Sequence, residues 1–261
     1  MDLGISGRTA LVLGASSGLG RAMALALAAE GVRVAVAARN QAGLNETAAL
    51  IRAAGGEAMT VVWDVADRSI IDAHVAKVER MLGPIDILVN TPGGPPPTTA
   101  AGQDPTLWLD KFNAMILSVI AITDAVLPGM RARKWGRVIT STSAGVIAPI
   151  PNLGLSNTLR AALHGWSKTL AREVAADGVT CNVIVPGRIA TDRITFLDGE
   201  RAKREGKSIG EVEAANAATI PIGRLGDPTE YGAVAAFLAS APAAYVTGAV
   251  VRVDGGMIAS V

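Results

Sequence analysis

The run Gly14-Ala15-Ser16-Ser17-Gly18-Leu19-Gly20 has the residue types that let a backbone close around a phosphate. Glycines permit a tight turn and a close approach, and the helix that follows points its open N–H groups at the anion. That chemistry requires a strand before the turn and a helix after it. TALVLG (9–14) reads as the strand, and GRAMALALAAEG (20–31) as a helix stopped by Gly31. A pyrophosphate is expected at this turn. After the next strand stands Ala38-Arg39-Asn40. A carboxylate there would bond a ribose 2′-hydroxyl and repel a 2′-phosphate, whereas a guanidinium attracts the phosphate. The expected nucleotide is NADP(H) rather than NAD(H).

A second constellation lies in PNLGLSNTLRAALHGW (151–166). Ser156 and Arg160 are four residues apart, which puts them on one face of a helix. A serine hydroxyl is too weak an acid to give up its proton directly, but it holds a water or orients an oxygen. An arginine stays charged and carries five donors, so it polarises an oxygen without relaying a proton. His164, a further turn along, has the ordinary pKa of an acid–base group. It lies roughly 12 Å from Ser156 by helical rise and falls where a core or subunit contact is expected.

The elements that must position these residues follow from β-branched runs alternating with Ala/Leu-rich stretches. After TALVLG come RVAVAA (33–38), AMTVVW (58–63), IDILVN (85–90), GRVITS (136–141), GVTCNVIV (178–185) and AVVRV (249–253). A helical stretch near 41–54 ends at Gly55 and Gly56. Apolar strands without alternation, separated by helices, mean a parallel sheet covered on both faces. Right-handed crossovers make it a doubly wound, Rossmann-like α/β sheet. No linker or repeat divides the chain, so residues 1–261 are read as a single domain. Two segments read as irregular: the Pro/Gly-rich 91–104 and the charged 188–218. Long loops of this kind wall a site, at the carboxyl ends of strands where ligands bind. In 192–218, Arg193, Arg201, Lys203, Arg204 and Lys207 mix with Asp192, Asp198, Glu200, Glu205 and Glu211. The mixture reads as a solvated lid helix; an inward basic face would instead suit a phosphate-bearing carrier such as coenzyme A or acyl carrier protein.

Composition narrows the classes. The 261 residues are 50% hydrophobic and carry a net charge of +1, without a basic tail, which speaks against nucleic acid and anionic membranes as partners. No uninterrupted apolar run of membrane length and no secretion signal stands out. The one cysteine, Cys181, excludes an internal disulfide and fits a reducing cytoplasm. Its strand-like surroundings mark it as a buried structural thiol. With His74 and His164 it forms no metal-ligand spacing, so no metal is expected.

The GxxxGxG turn resembles the glycine motif of the short-chain dehydrogenase/reductase family, with Leu13 where threonine is usual. The resemblance covers essentially the whole chain. WDVAD places Asp64 and Val65 where the family holds the adenine. ILVNTPGG resembles its Asn-Asn-Ala-Gly segment, with Asn90 kept and Thr91 and Pro92 replacing the next two residues. PGRIAT matches its Pro-Gly-x-x-x-Thr pattern, which implies that Pro186, Gly187, Ile189 and Thr191 border the nicotinamide. VTGAVVRVDGG resembles its C-terminal strand and turn. The family's usual catalytic set is an Asn, a Ser, a Tyr thirteen residues on, and a Lys four beyond that. Ser143 takes the serine position. Ser156 and Arg160 stand at the Tyr and Lys positions, and Met115 at that of the Asn, with Asn113 on a different helix face. The two tyrosines offer no replacement: Tyr231 reads as core packing and Tyr245 as a turn.

The resemblance implies an NADP(H)-dependent oxidoreductase that reduces a carbonyl, such as a 3-oxoacyl thioester, or oxidises an alcohol. In that reading Ser143 binds the carbonyl oxygen, Arg160 the ribose and substrate, and Ser156, or a water it holds, replaces the missing acid. The alternatives are a nucleotide-binding protein without turnover, acting as a sensor or as a partner of an active paralogue, and a reaction in the same pocket that needs no hydride. Family resemblance also implies a homotetramer built through helices near 104–133 and 153–176 and through the last strand.

Overall fold

The computed structural model describes residues 2–260. Strands β1 (Thr9–Leu13), β2 (Arg33–Ala38), β3 (Ala58–Val62), β4 (Ile87–Asn90), β5 (Gly136–Ser141), β6 (Val179–Pro186) and β7 (Val250–Val253) form one sheet. Their order is β3-β2-β1-β4-β5-β6-β7, and every pairing is parallel. Leu11 pairs with Leu88 across β1 and β4, which fixes the point where the strand order reverses. A crevice opens beyond the carboxyl ends there, and both segments read as walls converge on it.

Helices α1 (Gly18–Ala29), α2 (Gln41–Ala53), α3 (Ile71–Leu82), α4 (Pro105–Phe112), α5 (Ser118–Ala132), α6 (Gly154–Val174), α7 (Asp192–Glu205), α8 (Ile209–Ala218) and α9 (Pro228–Ala239) complete the fold. Alternate side chains of each strand point to opposite faces, so each face needs its own cover. Val12 and Val36 pack with Met23, Leu27, Leu44 and Tyr231 under α1, α2 and α9. Leu11, Ala35 and Leu88 pack with Val78, Ile122 and Leu170 under α3, α5 and α6. Cys181 is buried in the second core, and burial pushes its thiol up to about 12.

The segment expected to be irregular at 188–218 is mostly helical. Gly206 takes a left-handed conformation (φ 65°) that stops α7, and Ser208 opens α8 with a reciprocal capping box to Glu211. Residues 91–104 are irregular as expected. Between α4 and α5, Asn113–Leu117 forms one π-helical turn. It buries Met115 against Leu155 and Leu159 of α6 and leaves Asn113 exposed, accepting from Arg68 at 3.5 Å. The whole run Pro105–Ala132 is long and apolar enough to cross a membrane by composition alone, which qualifies the reading from uninterrupted runs. In the fold it packs on α3, α6 and the sheet.

Candidate active site

The glycine turn is built as a phosphate cradle. Gly14 and Gly18 have φ of 69° and 53°, conformations that other residues adopt at a cost. At Gly20 a Cβ would lie 2.2 Å from the Gly14 carbonyl oxygen, so only glycine lets α1 start this close to β1. Ser17 precedes α1 without capping it through its side chain, and the first turn holds no acidic residue. The main-chain N–H groups at this end are left to an anion. Arg39 is exposed at the end of β2, without an acidic partner among the described residues. Asp64, exposed beyond β3, accepts from Ala66 N at 3.1 Å, and half-buried Val65 packs on the core beside it.

Asn90 is fully buried at the end of β4. Its Nδ2 donates to Thr123 at 3.3 Å, while its Oδ1 and the neighbouring Thr91 hydroxyl are buried without a partner. Both atoms are closed off from the surface, so the fit to a nucleotide rests on the glycine cradle, whose close backbone approach a Cβ at Gly20 would fill. A dinucleotide fits these residues.

A cleft of about 770 Å³ runs from the cradle to α7 and α8. Gly14, Ser17, Gly18, Leu19, Gly20, Ser143, Ser156, Arg160, Pro186, Gly187, Ile189 and Thr191 all lie on its walls. The structure thus brings the expected nicotinamide border and the three expected catalytic positions to one space. Ser16, Arg39, Asp64, Val65 and Asn90 lie off these walls, around the ends of β1 to β4. A larger open groove of about 1110 Å³ follows the outside of α1 between α2 and α9. It touches Ser16 but none of Ser143, Ser156 or Arg160, so the chemistry belongs to the smaller cleft.

Within the cleft, Ser143 Oγ accepts from Gly145 N at 3.1 Å and keeps its own proton free to donate. Ser156 and Arg160 are buried on the inner face of α6, and Arg160 Nε donates to Ser156 Oγ at 3.3 Å. Arg160 Nη1 donates to the carbonyls of Ser141 (3.4 Å) and Thr142 (3.2 Å), and Nη2 to that of Pro92 (2.9 Å). Four of its five N–H groups are therefore spent inside the protein, and one on Nη2 is left for a ligand. Burial pulls its pKa down to about 10, helped by the nearby charge of Arg193 and opposed by Tyr231, so it stays a cation at neutral pH.

No tyrosine, lysine, histidine or cysteine is among the described residues lining the cleft. Tyr231 is buried under β5, its hydroxyl 2.8 Å from Ser141 Oγ, and burial pushes its pKa far up. Tyr245 is fully exposed. His164 Nε2 lies 2.9 Å from Thr142 Oγ1, a contact that sequence spacing did not suggest because the two are on different elements. Reading the sequence also missed Arg188, which pairs with the buried Asp198 while Asn216 donates to the same carboxylate at 2.8 Å. The only signal was an arginine directly after the Pro186-Gly187 step.

Comparison with known proteins agrees with this geometry. The chain is 36% identical over 260 residues to the 3-oxoacyl-[acyl-carrier-protein] reductase of Pseudomonas aeruginosa, covering 99% of this chain and 100% of that protein. L-sorbose reductase from Gluconobacter frateurii, solved with NADPH and L-sorbose, superposes with a TM-score of 0.93 at 34% identity and full coverage of both chains. YwfH, an NADPH-dependent reductase of bacilysin biosynthesis, superposes with a TM-score of 0.92 at 29% identity, covering 97% of this chain and 99% of that one. The model of the enoyl-(acyl carrier protein) reductase family matches residues 14–258. With its glycine cradle, parallel sheet and these relatives, the chain belongs to that family, a branch of the short-chain dehydrogenases/reductases.

Proposed function

We propose that the protein is an NADP(H)-dependent reductase of a carbonyl compound, working in the reverse direction as an alcohol dehydrogenase. One observation carries the reading: the phosphate cradle and the Ser143–Ser156–Arg160 group open onto the same cleft. Arg39 is placed to receive a 2′-phosphate, and the NADPH-bound sorbose reductase supports that choice of cofactor. The bound nucleotide supplies the hydride.

The chain's own residues then manage the oxygen. Ser143 donates its hydroxyl proton to the carbonyl oxygen as a hydrogen bond. The remaining Nη2–H of Arg160 faces the negative charge that develops on that oxygen. Arg160 orients Ser156 through the 3.3 Å contact, and Ser156 holds a water that passes a proton to the alkoxide while the hydroxide left behind takes one from bulk water at the cleft mouth. A phenol or imidazole normally gives general acid catalysis roughly 10²–10⁴-fold. Its replacement by water makes a slow reductase whose rate rests on positioning and electrostatics. The helices α7 and α8 form the substrate lid of a single nucleotide-binding domain. A 3-oxoacyl thioester is the substrate class that the P. aeruginosa relative suggests, and a homotetramer is the assembly the family resemblance suggests.

A second reading, nucleotide binding without turnover, is favoured because no Tyr, Lys or His is among the described residues of the cleft walls. Titrating NADPH and NADH by fluorescence, then following absorbance at about 340 nm, the reduced nicotinamide band, with ketones and 3-oxoacyl thioesters separates the two. NADPH binding with oxidation by a carbonyl supports the reductase. Tight NADPH binding with no oxidation by any member supports the second reading.

A further inference from the structure

The charges of the cleft do not cancel. Arg188 is neutralised by Asp198, Arg201 by Glu205 and Glu200 by Lys203, while Asp192 and Arg204 are exposed. Arg160 and Arg193 have no carboxylate partner among the described residues, and both line the cleft. Arg160 is 8% exposed and Arg193 is half-buried in the first turn of α7.

The two guanidiniums are held by the same irregular segment. Arg160 Nη2 donates to Pro92 O and Arg193 Nη2 to Pro95 O, each at 2.9 Å. Gly94 makes this possible, because a Cβ there would lie 3.0 Å from Arg193 Nη2. Arg193 spends one of its five donors on this contact and lies 5.6 Å from the ring of Phe196, so the other four have no hydrogen-bond partner among the described residues. A buried cation and a half-buried one, neither in an ion pair, cost folding energy, and an anion that reaches both recovers it. A pantetheine arm would hold a carrier's phosphate far from the thioester carbonyl. Arg160 touches Ser156 at the reacting end, so the missing anion is within a few bonds of the carbonyl.

We infer that the cleft binds a free oxo-carboxylate, with Arg193 gripping the carboxylate in a bidentate contact and Arg160 facing the adjacent carbonyl oxygen. The inference rests on the reductase reading above for the identity of the reacting group. It makes Arg193 a specificity-determining residue and puts the free acid, in place of the thioester suggested by the P. aeruginosa relative, as the preferred substrate.

The test compares 2-oxooctanoate, 4-oxooctanoate, their methyl esters and 3-oxooctanoyl coenzyme A on the NADPH complex. Binding is read from nicotinamide fluorescence and turnover from absorbance. An acid should bind at least about tenfold more tightly than its ester. Arg193→Gln should erase that difference by weakening the acid, with the ester, which offers no carboxylate to the guanidinium, as the internal reference. Arg193→Lys should restore part of it. Equal binding of acid and ester, preference for the thioester, or a difference that survives Arg193→Gln would overturn the inference. NADPH oxidation with equal KM for acid and ester keeps the reductase and rejects the subsite. Acid-selective binding without any oxidation keeps the subsite and rejects the reductase.

Discussion

Arg160 donates to Ser156 across one helical turn and, with the same guanidinium, ties α6 to Pro92 and to the end of β5. The residue at the position of the family's lysine is thus a structural tie as well as a charge. Arg160→Met leaves three buried main-chain carbonyls without their donor. The expected loss is about 2–4 kcal/mol of unfolding free energy, read from urea melts at neutral pH. Arg160→Lys should recover less than half, because an ammonium cannot reach three directions with a planar fork.

Gly20→Ala tests the cradle. Its Cβ would meet the Gly14 carbonyl oxygen at 2.2 Å, and that neighbour is backbone that cannot swing aside. NADPH affinity should fall roughly tenfold or more, since about 1.4 kcal/mol of displaced phosphate contact is a factor of ten. Fluorescence titration of the folded variant measures it.

Arg39→Asp should reverse cofactor preference. NADPH affinity falls by roughly tenfold to a hundredfold, the worth of a charge-assisted contact turned into repulsion. NADH affinity should hold or rise, and parallel titrations with the two nucleotides give the ratio.

His164 carries a pH dependence of stability. Burial holds its folded pKa below the ordinary 6.5. As pH falls below 6.5, the unfolded chain takes up the proton before the folded one does. Stability is therefore full above pH 6.5, declines in the window below it, and levels once the folded imidazole is charged. Denaturant melts between neutral pH and about pH 5 should show a shallower decline in His164→Asn. His74, also lowered chiefly by burial, keeps part of the slope.

Cys181 should ignore thiol reagents in the folded protein, because its thiolate is disfavoured up to about pH 12 and its side chain has no exposed surface. Labelling should appear only with denaturant, in step with the unfolding transition. Rapid labelling under native conditions would place the thiol outside the core.

Much of this fold was legible because a buried parallel sheet writes each strand as one apolar run. RVAVAA and GRVITS match β2 and β5 residue for residue. The cradle was legible because a backbone phosphate site is local: Gly14 and Gly20 are neighbours in sequence and in space. The lid was less so. Its helices are polar, and only the caps at Gly206 and Ser208 betray them. The structural tie made by Arg160, unlike its charge at the site, could not be read. Its partners Pro92 and Thr142 lie on two other segments, and only the folded sheet brings them to α6. The pairing of Thr142 with His164 was hidden for the same reason.

The central claim is that an intact nucleotide cradle serves hydride chemistry without a phenol or an ammonium. The most direct measurement is single-turnover oxidation of bound NADPH by an oxo-acid, in the natural protein and in Ser156→Ala. Slow but saturable oxidation is expected, lowered by roughly tenfold in Ser156→Ala, the scale of a lost proton-delivery contact, with NADPH affinity unchanged. Bound NADPH that stays reduced against every carbonyl compound would contradict it.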